Sequence, residues 1–316
     1  MKDINHKIST LRTASANAVI YFTESTAIKI KQDKLPKGNL LDVARAAAFL
    51  GAKATPQLLP HCHPVQIDGM QVDFEYIYPS SHPDFFAGTQ QSGAGILITV
   101  AAKSIGRTGI EMEALTAASI AALELYDMLK PVDDQLEIGH IRLAKKTGGK
   151  SDHSRFLAPL ATCAVLVCSD ATASGQRQDN SGRKIEEMLQ ATGAQVLDYQ
   201  IVADEKPLIQ QAINTWVDRD IPFIFTTGGT GLGPRDVTVE AVSELLDKTA
   251  DGIVEAMRGH GQQRTPLAMM SRSVAGTIRN SLVVTLPGST NGVKECLEAI
   301  LPALFHAQKM MMGGGH

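Results

Sequence analysis

The chain has 316 residues, 30 Lys and Arg against 33 Asp and Glu, and a formal net charge of −3, a length that suits about two domains, each able to bury a core. Cations are spread along the chain, and one Trp and five Tyr are present, so nucleic-acid binding is disfavoured; no apolar run reaches membrane-spanning length, and the first residues lack a signal-peptide core. Four cysteines, at 62, 163, 168 and 296, form no CxxC pair, which fits a reduced, cytoplasmic enzyme.

In chain order, residues 16–22 read as a strand. Residues 39–53 read as a helix, with Asn39 as N-cap and Val43, Ala46, Ala47 and Leu50 on one face. Residues 65–67 and 72–78 alternate apolar and polar, as a half-buried strand does. A strand at 95–102, a helix at 111–130 and a strand at 136–144 follow. The order β-α-β-β-α-β predicts a ferredoxin-like α+β sandwich. Residues 147–159 are rich in Gly, Ser and charge and read as a linker. The rhythm then changes to a buried strand at 163–168, a helix at 181–191 and a strand at 195–202. A helix at 207–217, a strand at 222–226 and helical residues 237–246 come next, then a strand at 281–286 and a helix at 292–308. Strand and helix alternate, which predicts an α/β doubly wound parallel sheet. The closing residues 313–316, Gly-Gly-Gly-His, read as an expression remnant. With no internal repeat, the expected domains are 1–153 and 161–312, joined by a linker at 154–160.

The motif-rich stretch of the first half runs from Gly106-Arg107-Thr108-Gly109 through Glu111-Met112-Glu113 to Tyr126-Asp127-Met128-Leu129-Lys130. Asp127 and Lys130 are i and i+3, so they share a helix face. An ordinary helix, acidic at its start and basic at its end, is the bland alternative. Upstream lie Lys37-Gly38-Asn39, Ala52-Lys53-Ala54-Thr55 and Pro60-His61-Cys62-His63-Pro64; downstream lies Lys145-Lys146-Thr147-Gly148-Gly149-Lys150-Ser151. His61 and His63 point the same way on an extended segment, but no further Cys or His cluster accompanies them, so structural zinc is disfavoured. The Gly-Lys-Ser ending is not a P-loop, because GxxxxGK[ST] needs glycine where Ala144 stands.

These segments together resemble the cyclic pyranopterin monophosphate synthase family (MoaC) of molybdenum-cofactor biosynthesis, over about residues 1–153. The resemblance implies conversion of 3′,8-cyclo-7,8-dihydroguanosine 5′-triphosphate to cyclic pyranopterin monophosphate and pyrophosphate, with no cofactor. It makes Asp127 the catalytic acid/base beside Lys130. Lys37, Lys53 and Lys146 join them for proton transfer and phosphate contact. His61, Cys62, His63, Met112 and Glu113 match substrate-binding segments. Lysines spread over four motifs suit a site assembled from several segments around a triphosphate, where a desolvated lysine near other cations has a lowered pKa. The chain departs from the family at Asn39 (usually Asp), His61 (usually Leu) and Arg107 (usually Lys).

In the second half a strand runs into Thr226-Thr227-Gly228-Gly229-Thr230-Gly231-Leu232-Gly233, where a doubly wound sheet binds ligands. Glycines let backbone N–H groups approach a phosphate. The pattern is not GxGxxG, since Asp236 stands where glycine is needed, so NAD is disfavoured. Asp236 beside such a cradle suits Mg²⁺, and a helix N-cap role is compatible. Ser169-Asp170, Ala203-Asp204-Glu205 and Pro287-Gly288-Ser289 also fall at strand ends and would line one crevice. With Arg235 and Ser271-Arg272, these segments resemble the molybdopterin-binding family that includes MogA, MoaB and gephyrin-type domains. That resemblance implies ATP- and Mg²⁺-dependent adenylation of molybdopterin, with Asp204 and Asp236 the functional aspartates; the alternative is a pterin-binding or scaffold module without chemistry. The two families imply a homo-oligomer, hexameric or trimer-based, with first-domain sites at subunit interfaces. The expected partners are small pterin and nucleotide substrates, not nucleic acid or membrane.

Overall fold

The computed structural model describes residues 1–32, 35–36, 38–87, 89, 93–149 and 161–314. The chain folds into two compact units, residues 1–152 and 153–316. The linker expected at 154–160, Lys37 and the Lys150-Ser151 pair lie outside the described residues, as does the end of the Gly-Gly-Gly-His tail.

The first unit is an antiparallel sheet of β1 (Thr10–Phe22), β2 (Gly69–Ile77), β3 (Ala94–Gly106) and β4 (Glu137–Thr147), in the order β2-β3-β1-β4. Alternation decides its faces. Ala16, Ala18, Ile20 and Phe22 of β1, with Ile96, Ile98 and Val100 of β3, point into the main core. The intervening Val19, Tyr21 and Leu97 point the other way, where Phe85 and Phe86 of the short helix α3 (Pro83–Phe86) cover them. A short α1 (Glu24–Lys31) follows β1. The predicted β-α-β-β-α-β order thus recurs with two short helices added, an α+β fold.

The core face of the sheet is covered by α2 (Leu40–Leu58) and α4 (Glu111–Leu129). Asn39 caps α2, its Oδ1 accepting from Asp42 N–H at 3.2 Å. The face expected for α2 is corrected: Val43 and Leu50 are 40% and 68% exposed. The buried stripe is Leu40, Ala44, Ala48, Gly51, Ala52 and Thr55, one position on. It meets Ala114, Ala117, Ala118, Ala121 and Ala122 of α4. Small residues let the two helices approach closely: a Cβ at Gly51 would lie 2.8 Å from Ile120 Cγ1. Residues 65–67 lie outside any strand; alternation there reflects side chains packing singly onto the core edge, as Val65 and Ile67 do.

The second unit has six strands in the order β6-β5-β7-β10-β9-β8. Four neighbouring strands, from the β6 edge inward, are parallel: β5 (Thr162–Cys168), β6 (Gln195–Val202), β7 (Phe223–Thr227) and β10 (Ser281–Leu286). The sheet is mixed rather than wholly parallel, because β8 (Lys248–Thr249) and β9 (Ala275–Ile278) extend it antiparallel. The pairing of Ile278 with Ser281 leaves a two-residue turn in which Arg279 has φ 50°, the geometry of a tight hairpin.

Helices cover both faces. A four-residue α5 (Asp170–Ala173) follows β5. Next come α6 (Ser181–Gln190), α7 (Lys206–Asp218), α8 (Thr238–Ser243), α9 (Asp251–Gln262) and α10 (Thr290–Ile300). Cys163 and Val165 face Ile185, Leu189, Val293 and Leu297. Ala164, Leu166 and Cys168 face Ile209, Ile213 and Trp216. Strands buried on both faces read as continuous apolar runs, which is why β5 and β10 were legible. The predicted helix at 292–308 is two: α10 ends at Ile300, and α11 (Ala307–Met311) follows a 3₁₀ turn, Ala303–His306. Pro302 lacks the N–H that continuation requires. No helix among the described residues is long and apolar enough to cross a membrane.

Candidate functional site

In the first unit, α4 carries predicted residues at both ends. Near its C-terminus, Lys130 Nζ lies 2.6 Å from Asp127 Oδ1, with both side chains about half exposed. The Asp127 hydrogen bond, then its charge, holds the Lys130 ammonium above its ordinary pKa. The expectation of a desolvated lysine with a lowered pKa is therefore corrected for Lys130: its carboxylate partner and its exposure keep it cationic.

At the N-terminal end of α4, Glu113 is 2% exposed. Burial raises its carboxyl pKa, and the neighbouring Glu111 charge adds to that. Cys62, on the loop after α2, has its thiol pushed up by burial and by Glu113, so the two predicted substrate-binding segments meet here. His61 is exposed, His63 half-buried and Met112 40% exposed. Lys146 on β4 reaches Glu111 Oε1 at 3.3 Å. Thr147 and Gly148 seat this end of β4 against β1. Thr10 Oγ1 donates to Gly148 O at 2.9 Å, and the Thr13 and Thr147 hydroxyls are 2.6 Å apart. Arg12 donates to Gly106 O at 3.3 Å, adding a cation that sequence reading did not single out. Lys53 is exposed on α2.

The two clusters are not one site within a single chain. Asp127 lies sixteen positions after Glu111 along α4, about 24 Å at 1.5 Å per residue. Gly106-Arg107-Thr108-Gly109 and Lys146 belong with the Glu113–Cys62 end.

In the second unit, a cavity of about 350 Å³ opens at the C-terminal ends of the parallel strands, where an α/β sheet binds ligands. Of the predicted residues, Ser169, Asp204, Thr227, Gly228, Gly229, Gly288 and Ser289 line it. Gly228 has φ 96°, and a Cβ there would overlap the Cys168 carbonyl oxygen; Gly229 has φ 60°. Only glycine suits such positions. Thr227 Oγ1 donates to Pro287 O at 2.7 Å, tying β7 to the turn after β10. Ser289 caps α10, its Oγ accepting from Gly292 N–H at 3.1 Å.

Thr230, Gly231 and Asp236 do not line the cavity; Arg272 holds them as a loop. Its Nε donates to Gly231 O at 2.6 Å, its Nη2 to Asp236 O at 2.8 Å, and its backbone N–H to Thr230 O at 3.1 Å. The N-cap role considered for Asp236 is corrected. Val237 occupies the cap of α8 without a side-chain bond, and Asp236 Oδ2 instead accepts from Gly233 N–H at 2.7 Å. Asp204 Oδ1 is buried with no hydrogen-bond partner. Burial raises the Asp204 carboxyl pKa, the Asp170 backbone bond offsetting part of this, and Asp236 is near enough to add to it.

Sequence reading missed one wall, formed by Arg177, Gln178, Asp179, Asn180 and Ser181. Asp179 Oδ1 accepts from Gly182 N–H at 2.8 Å at the start of α6. The Asp-Asn-Ser-Gly run before an amphipathic helix marks such a start, but sequence does not say that the start faces a cavity. No group of three or more His, Cys, Asp or Glu among the described residues could hold a metal ion.

The MoaC family model matches residues 1–149, and the probable molybdopterin binding domain model matches residues 164–306. The molybdenum cofactor biosynthesis bifunctional protein of Chlorobaculum tepidum is 39% identical over 316 residues, covering 100% of this chain and 96% of that protein. Its counterpart in Synechococcus elongatus is 37% identical, covering 100% and 98%. The cyclic pyranopterin monophosphate synthase of Natranaerobius thermophilus is 43% identical over 151 residues, 48% of this chain and 87% of that protein. This chain therefore belongs to the family of molybdenum cofactor biosynthesis bifunctional proteins, with a MoaC-family domain followed by a probable molybdopterin binding domain.

Proposed function

We propose that the first domain converts 3′,8-cyclo-7,8-dihydroguanosine 5′-triphosphate to cyclic pyranopterin monophosphate and pyrophosphate. The observation that carries this is the Asp127–Lys130 pair at 2.6 Å on an exposed helix end. The carboxylate is placed to take a proton, and the lysine, kept protonated by it, to give one or to bind phosphate. Lys146, Lys37, Lys53 and Arg12 supply further positive charge. His61, Cys62, His63, Met112 and Glu113 would serve as substrate-binding residues. The β2-β3-β1-β4 order supports the ferredoxin-like assignment.

The separation along α4 supports a site shared between copies, in which the Asp127 end of one chain meets the Glu113 and Lys146 end of another. Exposed apolar residues on α2 and α4, among them Leu50, Leu58 and Leu123, suit burial between copies. The homo-oligomer is hexameric or trimer-based in this reading.

The second domain binds molybdopterin and adenylates it with Mg-ATP. Backbone N–H groups around Gly228 and Gly229, with the starts of α6 and α10, suit phosphate. The residues fit a divalent cation: the unpartnered Asp204 Oδ1 offers a ligand, Asp236 lies near, and Mg²⁺ takes its other ligands from water and phosphates. When bound, Mg²⁺ would neutralise charge on the transferred phosphoryl group. Asp204 would hold it, Asp236 would join directly or through water, and Arg272 would keep the loop closed. Four free cysteines support a cytoplasmic location. AMP transfer from ATP to molybdopterin tests the second activity. Asp236→Asn should abolish it; a wild-type chain that binds molybdopterin and transfers no AMP would leave a binding module.

A further inference from the structure

Asp170 does not line the cavity, yet it is bonded to a residue that does. Its Oδ1 accepts from Asp204 N–H at 3.0 Å, and its own N–H donates to Asp204 Oδ2 at 3.1 Å. Each aspartate thus caps the other's backbone, joining the end of β5 to the end of β6. Arg235, from the segment after the glycine loop, donates Nε and Nη2 to Asp170 Oδ2 at 3.1 and 2.7 Å. Asp204 is therefore fixed through Oδ2, and its Oδ1 is left buried without a partner. That atom faces the glycine turn: a Cβ at Gly229 would lie 3.2 Å from it.

We propose that Arg235 is a positioning residue which, through Asp170, sets the Asp204 carboxylate so that Oδ1 is presented to the divalent cation. The inference rests on the phosphoryl-transfer reading above. Both guanidinium N–H groups converge on the one oxygen Oδ2, which leaves Oδ1 to accept from Asp204 N–H; a flexible ammonium lacks such a rigid pair of directed donors. Support of this kind behind a metal ligand commonly decides its affinity. The competing account is an ordinary surface ion pair, since the Arg235 and Asp170 side chains are 65% and 46% exposed. Exposed pairs contribute little to stability, so removing Arg235 should change cation binding without changing the melting temperature.

The test compares full-length wild type with Arg235→Ala, Arg235→Lys, Asp170→Asn and the Arg235→Ala/Asp170→Asn double variant. Mn²⁺ binding is read by electron paramagnetic resonance in the presence of ATP, with thermal melting and AMP transfer alongside. Arg235→Ala should weaken Mn²⁺ binding about 10- to 100-fold at unchanged melting temperature. Arg235→Lys should fall between, and the double variant should be no worse than Asp170→Asn alone. Wild-type affinity in Arg235→Ala, additive losses in the double variant, or losses matched by lowered melting in both single variants would overturn the relay. If wild type binds Mn²⁺ but transfers no AMP, the adenylation reading fails while resonance still judges the relay. A wild-type chain that binds no Mn²⁺ overturns both.

Discussion

At the scale of single residues, the chemistry depends on what surrounds each group. Cys62 and Glu113 illustrate this. Burial and the Glu113 charge keep the Cys62 thiol protonated to higher pH than usual, and thiolate is the reactive form. Cys62 should therefore alkylate more slowly with iodoacetamide at pH 8 than a free thiol. Glu113→Gln removes the charge, lowers the thiol pKa and should speed the reaction; peptide mass spectrometry reads the rate, and an unchanged rate would separate the two residues. Gly228 makes a different demand. Alanine there must adopt φ near 96° against the Cys168 carbonyl, so Gly228→Ala should cost the second unit about 1–3 kcal/mol, measured by chemical denaturation. Sequence reading found the glycine cradle because four glycines in six residues exceed what a turn needs. It missed Arg177 and Asp179, because a cation or a cap becomes a cavity wall only when a helix start is aimed at it.

At the scale of elements, α2 and α4 show what pattern does and does not settle. Helix periodicity is present in α2 on two adjoining stripes, one of Val and Leu and one of Ala, Gly and Thr. Hydrophobicity favoured the larger side chains, but close helix packing selected the smaller ones. Ala48, fully buried in that stripe, is the sensitive position. Ala48→Leu should destabilise by about 1–3 kcal/mol through overpacking, whereas Leu50→Ala should leave a single chain's packing nearly unchanged; denaturation of both variants checks the pair. The Asn39 cap was legible because a short polar side chain preceded the periodic run. The sheet edge was not: β8 and β9 are two and four residues long, too short for alternation to register. The parallel centre was legible because burial on both faces leaves unbroken apolar runs.

At the scale of the whole molecule, motifs group residues under one proposed chemistry but do not say which of them share a chain. Asp127 and Lys146 stand in one family pattern, yet a 19-residue helix separates their ends. If copies share each site, mixing Asp127→Asn with Lys146→Ala chains should restore part of the synthase activity that each lacks alone. With equal mixing, about a quarter of the random pairings at an interface would unite two unaltered halves. No recovery after co-refolding would return the site to a single chain and require α4 to be bypassed. The two units also set an expectation for the fusion: Asp236→Asn should silence the second activity and spare the first.

The central claim is that the first domain performs the cyclisation chemistry through Asp127. The direct measurement is product analysis of purified full-length protein supplied with the cyclic dihydroguanosine triphosphate, with Asp127→Asn as control. Cyclic pyranopterin monophosphate and pyrophosphate from wild type, and neither from Asp127→Asn, is the predicted result. Intermediate that binds but is not turned over by wild type would contradict it, and would point to Asn39, His61 and Arg107 as the positions where this chain departs from working synthases.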